Sequence, residues 1–303
     1  MPVISLEEFC AVSPLFKGKS GQRLARAIFR LAAIDKINLL NDRNAAYKGA
    51  LFARSMLEDL RVHYEIGNAE ALDHLPEGAF ISISNHPYGA MDGIIMMDML
   101  GHVRPEIKFM VNKLLYLIKP LQDNEIAVDP TGSERKGATP VSIAGTREAL
   151  LQVRSGKPLG ILPSGAVSDL SVRDGFKIRD RQWQEAAIKL IQKARVPILP
   201  FKYLDRNSLF FYSLGLLDWR VRILRLPHEV FNKHRKVQRV VIGDLISVEE
   251  QQTYPDLKSF GEFLRSRVYE LKAPETMVSG EDFVAAHLLP GEAEMVHPTP
   301  YRY

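Results

Sequence analysis

From residue 62 onward two hydrophobic rhythms alternate along the chain. Short apolar runs recur at residues 62–66, 79–84, 107–111, 125–129, 158–162, 197–203 and 237–243, and each predicts a strand. Several are apolar without interruption, the pattern of strands covered on both faces. Between them, apolar residues take helical spacing at residues 92–100, 112–119, 141–155 and 183–194, and a last amphipathic helix is expected at 257–271. Alternation of this kind predicts an α/β fold, a largely parallel sheet flanked by helices on both faces.

The first 60 residues show helical spacing only. Leu24, Ala27, Ile28, Leu31 and Ile34 recur along residues 21–40, with Lys17, Lys19, Arg23, Arg26 and Arg30 near the start. A basic amphipathic helix suits a membrane interface, and the same pattern suits a surface helix packed on the core. Beyond residue 272, Pro274, Gly280, Pro290, Gly291, Pro298 and Pro300 punctuate a stretch that reads as an extended arm. The expected division is therefore a helical segment at 1–60, a main domain at 61–272 and a C-terminal tail at 273–303.

Composition narrows the options. The 303 residues are 46% hydrophobic and 25% charged, as in an ordinary globular protein. Cys10 is the single cysteine, which excludes an internal disulfide and a thiolate zinc site and favours a reducing compartment. The eight histidines form no HxxxH or HxH pair, so neither metal nor cofactor is expected. The start of the chain lacks the charge and apolar pattern of a signal peptide, and no apolar run reaches the length of a membrane span. A cytoplasmic protein is expected. The net charge of +4 is mild and compatible with anionic membranes, acidic carrier proteins or nucleic acid.

Candidate chemistry concentrates after the predicted strand at 79–84. Asn85-His86-Pro87-Tyr88-Gly89-Ala90-Met91-Asp92-Gly93 sets a histidine and an aspartate at a strand-to-helix junction. Histidine accepts protons near neutral pH, and an aspartate on its other ring nitrogen fixes the tautomer. His-Pro with Gly is also ordinary loop punctuation. After the strand at 158–162, the turn Pro163-Ser164-Gly165-Ala166 offers backbone N–H groups to an anion or oxyanion, or serves as a plain βα turn. Ser164 lacks the flanking glycines of a G-x-S-x-G elbow. Lys177, Arg179 and Arg181 follow in a basic stretch whose interleaved aspartates argue against nucleic acid. The two arginines suit an anionic head group or a solvated loop. Arg135-Lys136 reads as a binding loop or as plain surface.

Taken in order, Asn85-His86…Asp92, Pro163-Ser164-Gly165 and Val196-Pro197-Ile198-Leu199-Pro200 resemble the three blocks of the phospholipid/glycerol acyltransferase superfamily. Asn85 through Gly93, Lys177 through Trp183 and Leu226 through Lys233 are more similar to a bacterial branch labelled hemolysin-like, which includes ornithine- and glycine-lipid O-acyltransferases. The resemblance implies an α/β sandwich with a mixed sheet. It implies His86 as general base, Asp92 as its orienting partner, and substrate contacts at Asn85, Gly89, Gly93, Pro163, Ser164, Gly165, Ala166, Lys177, Arg179 and Arg181. It further implies an acyl carrier protein or acyl-CoA donor, a lyso-lipid acceptor, and peripheral attachment to the inner face of the cytoplasmic membrane. Two departures stand out. Five residues separate His86 from Asp92 where the superfamily has four, and Ser164 replaces the usual glutamate of the second block. No match exists around Ile126-Ala127-Val128-Asp129 to the superfamily's phosphate-binding arginine block. A lipid hydrolase or thioesterase using Ser164, and a non-catalytic membrane-binding protein, are the other readings of the same residues.

Overall fold

The structure, a computed structural model, describes residues 2–11, 13–129, 139–172, 175–299, 301 and 303. Arg135 and Lys136 lie outside the described residues. The first strands are β1 (His63–Gly67), β2 (Ile81–Ser84), β3 (Lys108–Asn112), β4 (Glu125–Val128) and β5 (Leu159–Ile161). They are followed by β6 (Asp169–Ser171), β7 (Lys177–Arg179), β8 (Ile198–Tyr203), β9 (Val237–Ile242) and β10 (Val278–Ser279). Eight of these form one sheet in the order β10-β1-β9-β8-β2-β5-β3-β4, and β6 and β7 form a separate hairpin. Neighbours pair parallel except at β1–β10 and β8–β9, so the sheet is mixed and largely parallel.

The N-terminal helices are α1 (Leu6–Ala11), α2 (Gly18–Leu31), α3 (Ile34–Asn44) and α4 (Gly49–Leu60). Next come α5 (Ala90–Val103), α6 (Pro140–Arg154), α7 (Glu185–Ala194), α8 (Leu209–Leu217) and α9 (Trp219–Phe231). The last are α10 (Val248–Gln252), α11 (Leu257–Tyr269) and α12 (Gly280–Ala286). Because successive strand residues point to opposite faces, each strand feeds two cores. Leu199, Phe201 and Tyr203 of β8 pack with Phe52 of α4, Ile95 of α5 and Phe283 of α12. Ile81 and Ile83 of β2 pack on the other face with Val153 of α6, Ile191 of α7 and Phe260 of α11. The result is three layers, helix, sheet and helix, with β2 buried at every residue.

Several expectations need correction. Residues 112–119 are not a helix: Asn112 ends β3, and 3-10 turns cover Leu115–Leu117 and Lys119–Asn124. Pro120 has no N–H with which to extend an α-helix from the preceding leucines. The helical stretch at 21–40 is broken at Ala33, which takes a left-handed φ of 57° between α2 and α3. No sequence signal marks that break. The tail is not an extended arm throughout. It adds β10 antiparallel to β1, buries Phe283 and Val284 in the core, and returns Tyr303 to the ring of Phe231 at 5.0 Å. Helices α8 and α9 fill residues 209–231, where no element is expected from the pattern.

Candidate active site

Strand β2 lies between β5 and β8 and runs parallel to both, so all three end at one edge of the sheet. That edge is where open α/β sheets bind ligands. The segment after β2 is held there by Asn85, whose amide donates to the Tyr203 carbonyl at 2.9 Å and accepts from the Tyr203 N–H at 2.8 Å. Both functional ends of the Asn85 side chain are thereby engaged, so it braces the loop where a substrate contact is expected.

His86 follows, and its backbone is clamped from the other side. Its N–H donates to Asp180 Oδ1 at 3.1 Å, and its carbonyl accepts from Ser168 N–H at 2.8 Å. Asp180 is 2% exposed and also accepts from Ser168 Oγ at 2.6 Å and Trp183 Nε1 at 3.1 Å. The chain then turns through Gly89 at φ 92°, a conformation that favours glycine. A Cβ there would lie 3.1 Å from Leu226. This turn absorbs the additional residue between His86 and Asp92. His86 Nδ1 meets Asp92 Oδ2 at 2.7 Å.

Asp92 sits in the first turn of α5, fully buried. Its Oδ2 also accepts the N–H groups of Tyr88 and Gly89, each at 3.0 Å. Burial raises the Asp92 carboxyl above its ordinary value, while His86 and the two N–H groups oppose that rise. An oxygen that accepts two backbone donors leaves Nδ1 as the donor in the ring contact. Nε2 then carries the lone pair. A histidine in that tautomer can take a proton from a hydroxyl.

His86 and Gly89 line an apolar cavity of about 420 Å³. That volume is typical of small-molecule sites. Its wall descends along α5 through Gly93, Ile94 and Met97 and along the sheet through Phe109 and Ile161. The seven steps from Ala90 to Met97 advance roughly 10 Å along a helix. Gly93 faces open space, since a Cβ there would meet nothing within 4 Å. Glu125, at the start of β4, joins the wall at 6% exposure. One of its carboxylate oxygens has no hydrogen-bond partner among the described residues, and burial pushes the carboxyl up to about 8. At neutral pH it is therefore mainly protonated, and the cavity stays uncharged at that depth.

The turn after β5 contributes Gly165 to the cavity at φ 61°. A Cβ there would lie 2.3 Å from the Gln184 side-chain amide, and the positive φ itself favours glycine. The Gly165 N–H is committed to the Leu162 carbonyl at 3.0 Å, which leaves Ala166 as the candidate N–H donor of this turn. Pro163 is buried and accepts the Gln184 N–H at 2.8 Å. Ser164 is 4% exposed, and its hydroxyl donates to the Ala166 carbonyl at 2.8 Å. Its hydroxyl is thus directed at the chain's own backbone, and Ser164 does not line the cavity.

The basic stretch falls elsewhere. Lys177 and Arg179 are exposed on β7. Arg179 and Arg181 border a separate depression with Asp169, Tyr212 and Arg265, and Arg181 pairs with Asp169. None of the three lines the His86 cavity. Within the same stretch it is Asp180 that touches the His86 loop. Nothing local in the sequence marks it, because an aspartate interleaved among basic residues reads as a local ion partner. Tyr203 is a further addition, its hydroxyl donating to the Asp92 carbonyl at 2.6 Å.

The His86–Asp92 pair and the apolar cavity that His86 lines thus lie on the carboxyl edge of an α/β sheet, where proteins of this architecture bind their ligands. The Acyltransferase family model matches residues 26–277, and the chain belongs to that family. It is 26% identical over 245 residues to lyso-glycine lipid O-acyltransferase of Bacteroides thetaiotaomicron, covering 78% of this chain and 85% of that protein. It is equally 26% identical over 248 residues to lyso-glycine lipid O-acyltransferase of Phocaeicola vulgatus, covering 78% of this chain and 83% of that one. The crystal structure of 1-acyl-sn-glycerophosphate acyltransferase PlsC from Thermotoga maritima aligns over 89% of this chain and 96% of that one, with a TM-score of 0.46 and 14% identity.

Proposed function

We propose that this acyltransferase moves a fatty acyl group from an acyl thioester, on acyl carrier protein or coenzyme A, to the hydroxyl of a lyso-lipid. The acceptor class is an amino-acid-containing lipid of the glycine or ornithine type, or a lysophospholipid. The observation that carries the reading is the 2.7 Å His86–Asp92 contact at the mouth of an apolar cavity of about 420 Å³. The names of the two bacterial relatives support the amino-acid-lipid acceptor.

In this mechanism His86 Nε2 takes the proton of the acceptor hydroxyl as its oxygen attacks the thioester carbonyl carbon. Asp92 stabilises the imidazolium and keeps Nδ1 protonated. The role of oxyanion donor is assigned to the Ala166 N–H, beside the cavity-lining Gly165. The tetrahedral species then collapses, the carbon–sulfur bond breaks, and the proton on His86 passes to the departing thiolate. The products are an ester and a free thiol. The apolar cavity holds an acyl chain, and the protein works as a peripheral enzyme at the inner face of the cytoplasmic membrane. Among the described residues, no helix is long and apolar enough to cross a membrane.

The hydrolase reading requires Ser164 as nucleophile, and its hydroxyl is spent on the Ala166 carbonyl. The test is lipid mass spectrometry in a host lacking the activity, supplied with mono-acylated glycine lipid and lysophospholipids. A diacylated product from the wild type and none from a folded His86→Ala variant supports the proposal. Free fatty acid formed without an acceptor, with Ser164→Ala inactive, overturns it in favour of hydrolysis.

A further inference from the structure

Helices α8 and α9 bury Phe211, Tyr212 and Val230 but also carry large apolar side chains on their outer side. A surface helix on a soluble protein turns leucines inward and arginines outward. Here Leu209, Phe210, Leu216 and Leu217 of α8 are exposed, as are Trp219, Val221, Ile223 and Leu224 of α9. Leu217 is 82% exposed and Leu209 63%. Arg222 meanwhile is 4% exposed, with Nη1 bonded to the Ser168 carbonyl at 3.1 Å and paired to Asp169. So many large side chains on two consecutive helices make a contiguous apolar element of the kind that marks an interaction site.

Charge and aromatic placement point to the occupant. From Ser208 to His228 the only acidic residue is Asp218, against Arg220, Arg222 and Arg225. The Arg220 guanidinium stacks over Trp219 at 5.5 Å, and that of Arg225 over Phe210 at 5.4 Å. An apolar face rimmed by arginine and tryptophan matches a bilayer interface, where hydrocarbon lies beneath anionic head groups. The hairpin also rests on the His86 loop. Tyr212 Oη donates to the Pro87 carbonyl at 3.0 Å, Leu226 packs on Gly89, and Arg222 holds Ser168, which in turn holds the His86 carbonyl.

We infer that the α8–α9 hairpin is the element that docks this enzyme on an anionic bilayer, bringing the mouth of the His86 cavity to the lipid surface. The inference deepens the lyso-lipid reading and rests on it, and it assigns the main apolar insertion to residues 209–224 rather than to α2. Helix α2 exposes Lys19, Arg23, Arg26 and Arg30 with Leu24 and Leu31, and it supplies charge.

The experiment is flotation of the purified full chain with vesicles of phosphatidylethanolamine and phosphatidylglycerol, beside vesicles of phosphatidylcholine alone. The variants are Leu217→Ser with Trp219→Ser, and, separately, Leu24→Ser with Leu31→Ser. Circular dichroism and size exclusion check that each is folded. The wild type is expected to float with the anionic vesicles, the hairpin variant to bind at least about tenfold more weakly, and the α2 variant to lose less. The readout needs no turnover, so it stands or falls separately from the acyl-transfer assay. Unchanged flotation of the hairpin variant overturns the inference, as does a wild type that ignores anionic vesicles. If the hairpin variant floats normally but loses turnover with acyl carrier protein as donor, the surface belongs to the carrier. If the wild type is a dimer that the hairpin variant splits, the occupant is a second copy.

Discussion

Replacing Glu125 by Gln isolates the cost of a carboxyl buried without a partner. Glu125 is 6% exposed on the cavity wall, and burial alone pushes it from 4.5 to about 8. Between those values the folded protein holds a proton that the unfolded chain has released. Stability is therefore highest below the lower value and falls as pH rises towards the upper one. At about 1.4 kcal/mol per pH unit, the whole interval is worth roughly 5 kcal/mol, of which roughly 3 has gone by about pH 7. Gln keeps the shape and cannot ionise, and its buried amide adds only an offset that does not depend on pH. The stability of Glu125→Gln relative to wild type should thus climb with pH across this window. Urea unfolding of both proteins at matched pH reads the change as a shift in midpoint. A difference that stays flat from about pH 5 to about pH 9 refutes the reasoning, because it means that the carboxyl titrates alike in folded and unfolded chains.

Asp92→Asn keeps the shape, and the Tyr88 and Gly89 N–H groups hold its carbonyl oxygen towards Nδ1, but it removes the negative charge that stabilises the imidazolium. Acyl transfer should fall by roughly 10²–10⁴-fold with the melting temperature little changed, and near wild-type rates would exclude His86 as the base. Ser164→Ala removes one hydroxyl bonded to a neighbouring carbonyl, so it should cost about 1 kcal/mol of stability and leave most of the transfer rate. Asp180→Ala strands the His86 N–H, the Ser168 hydroxyl and the Trp183 Nε1 in a buried site. Calorimetry should read a loss of roughly 3–5 kcal/mol, and a folded Asp180→Asn should recover part of both stability and kcat. Gly165→Ala forces a Cβ to 2.3 Å from Gln184 at a φ of 61°, and a loss of roughly 1–3 kcal/mol is expected in urea unfolding.

How legible each part was follows from how local its cause is. Strands such as β2 and β8 are expected within one or two residues because a short apolar-rich run reflects burial of its own side chains. The pairing of His86 with Asp92 is readable as residue types at a strand-to-helix junction. Their contact is not, because it depends on the φ of Gly89 and on Leu226, which is distant in sequence. Asn85 illustrates the opposite error. Its place beside His86 suggests a substrate contact, yet its side chain is taken by the Tyr203 backbone, which lies 118 residues on. Lys177, Arg179 and Arg181 look like a head-group clamp in sequence, but the β6–β7 hairpin turns them away from the cavity. Helices α8 and α9 show no one-sided apolar stripe in the sequence, because Phe211 and Tyr212 face inward while Leu216, Leu217 and Trp219 face out.

The sequence by itself determined the α/β alternation, the largely parallel sheet and the position of the His86–Asp92 pair at the end of β2. Each is set by burial periodicity and turn chemistry over a few neighbouring residues. Only the tertiary structure decided that β2, β5 and β8 end together, that α5, the sheet and the Gly165 turn enclose one cavity, and that Glu125 is buried in its wall. It also turned the leucines of α8 and α9 outward beside the His86 loop. Those outcomes depend on contacts between segments far apart in the chain, and such contacts leave no period in the sequence.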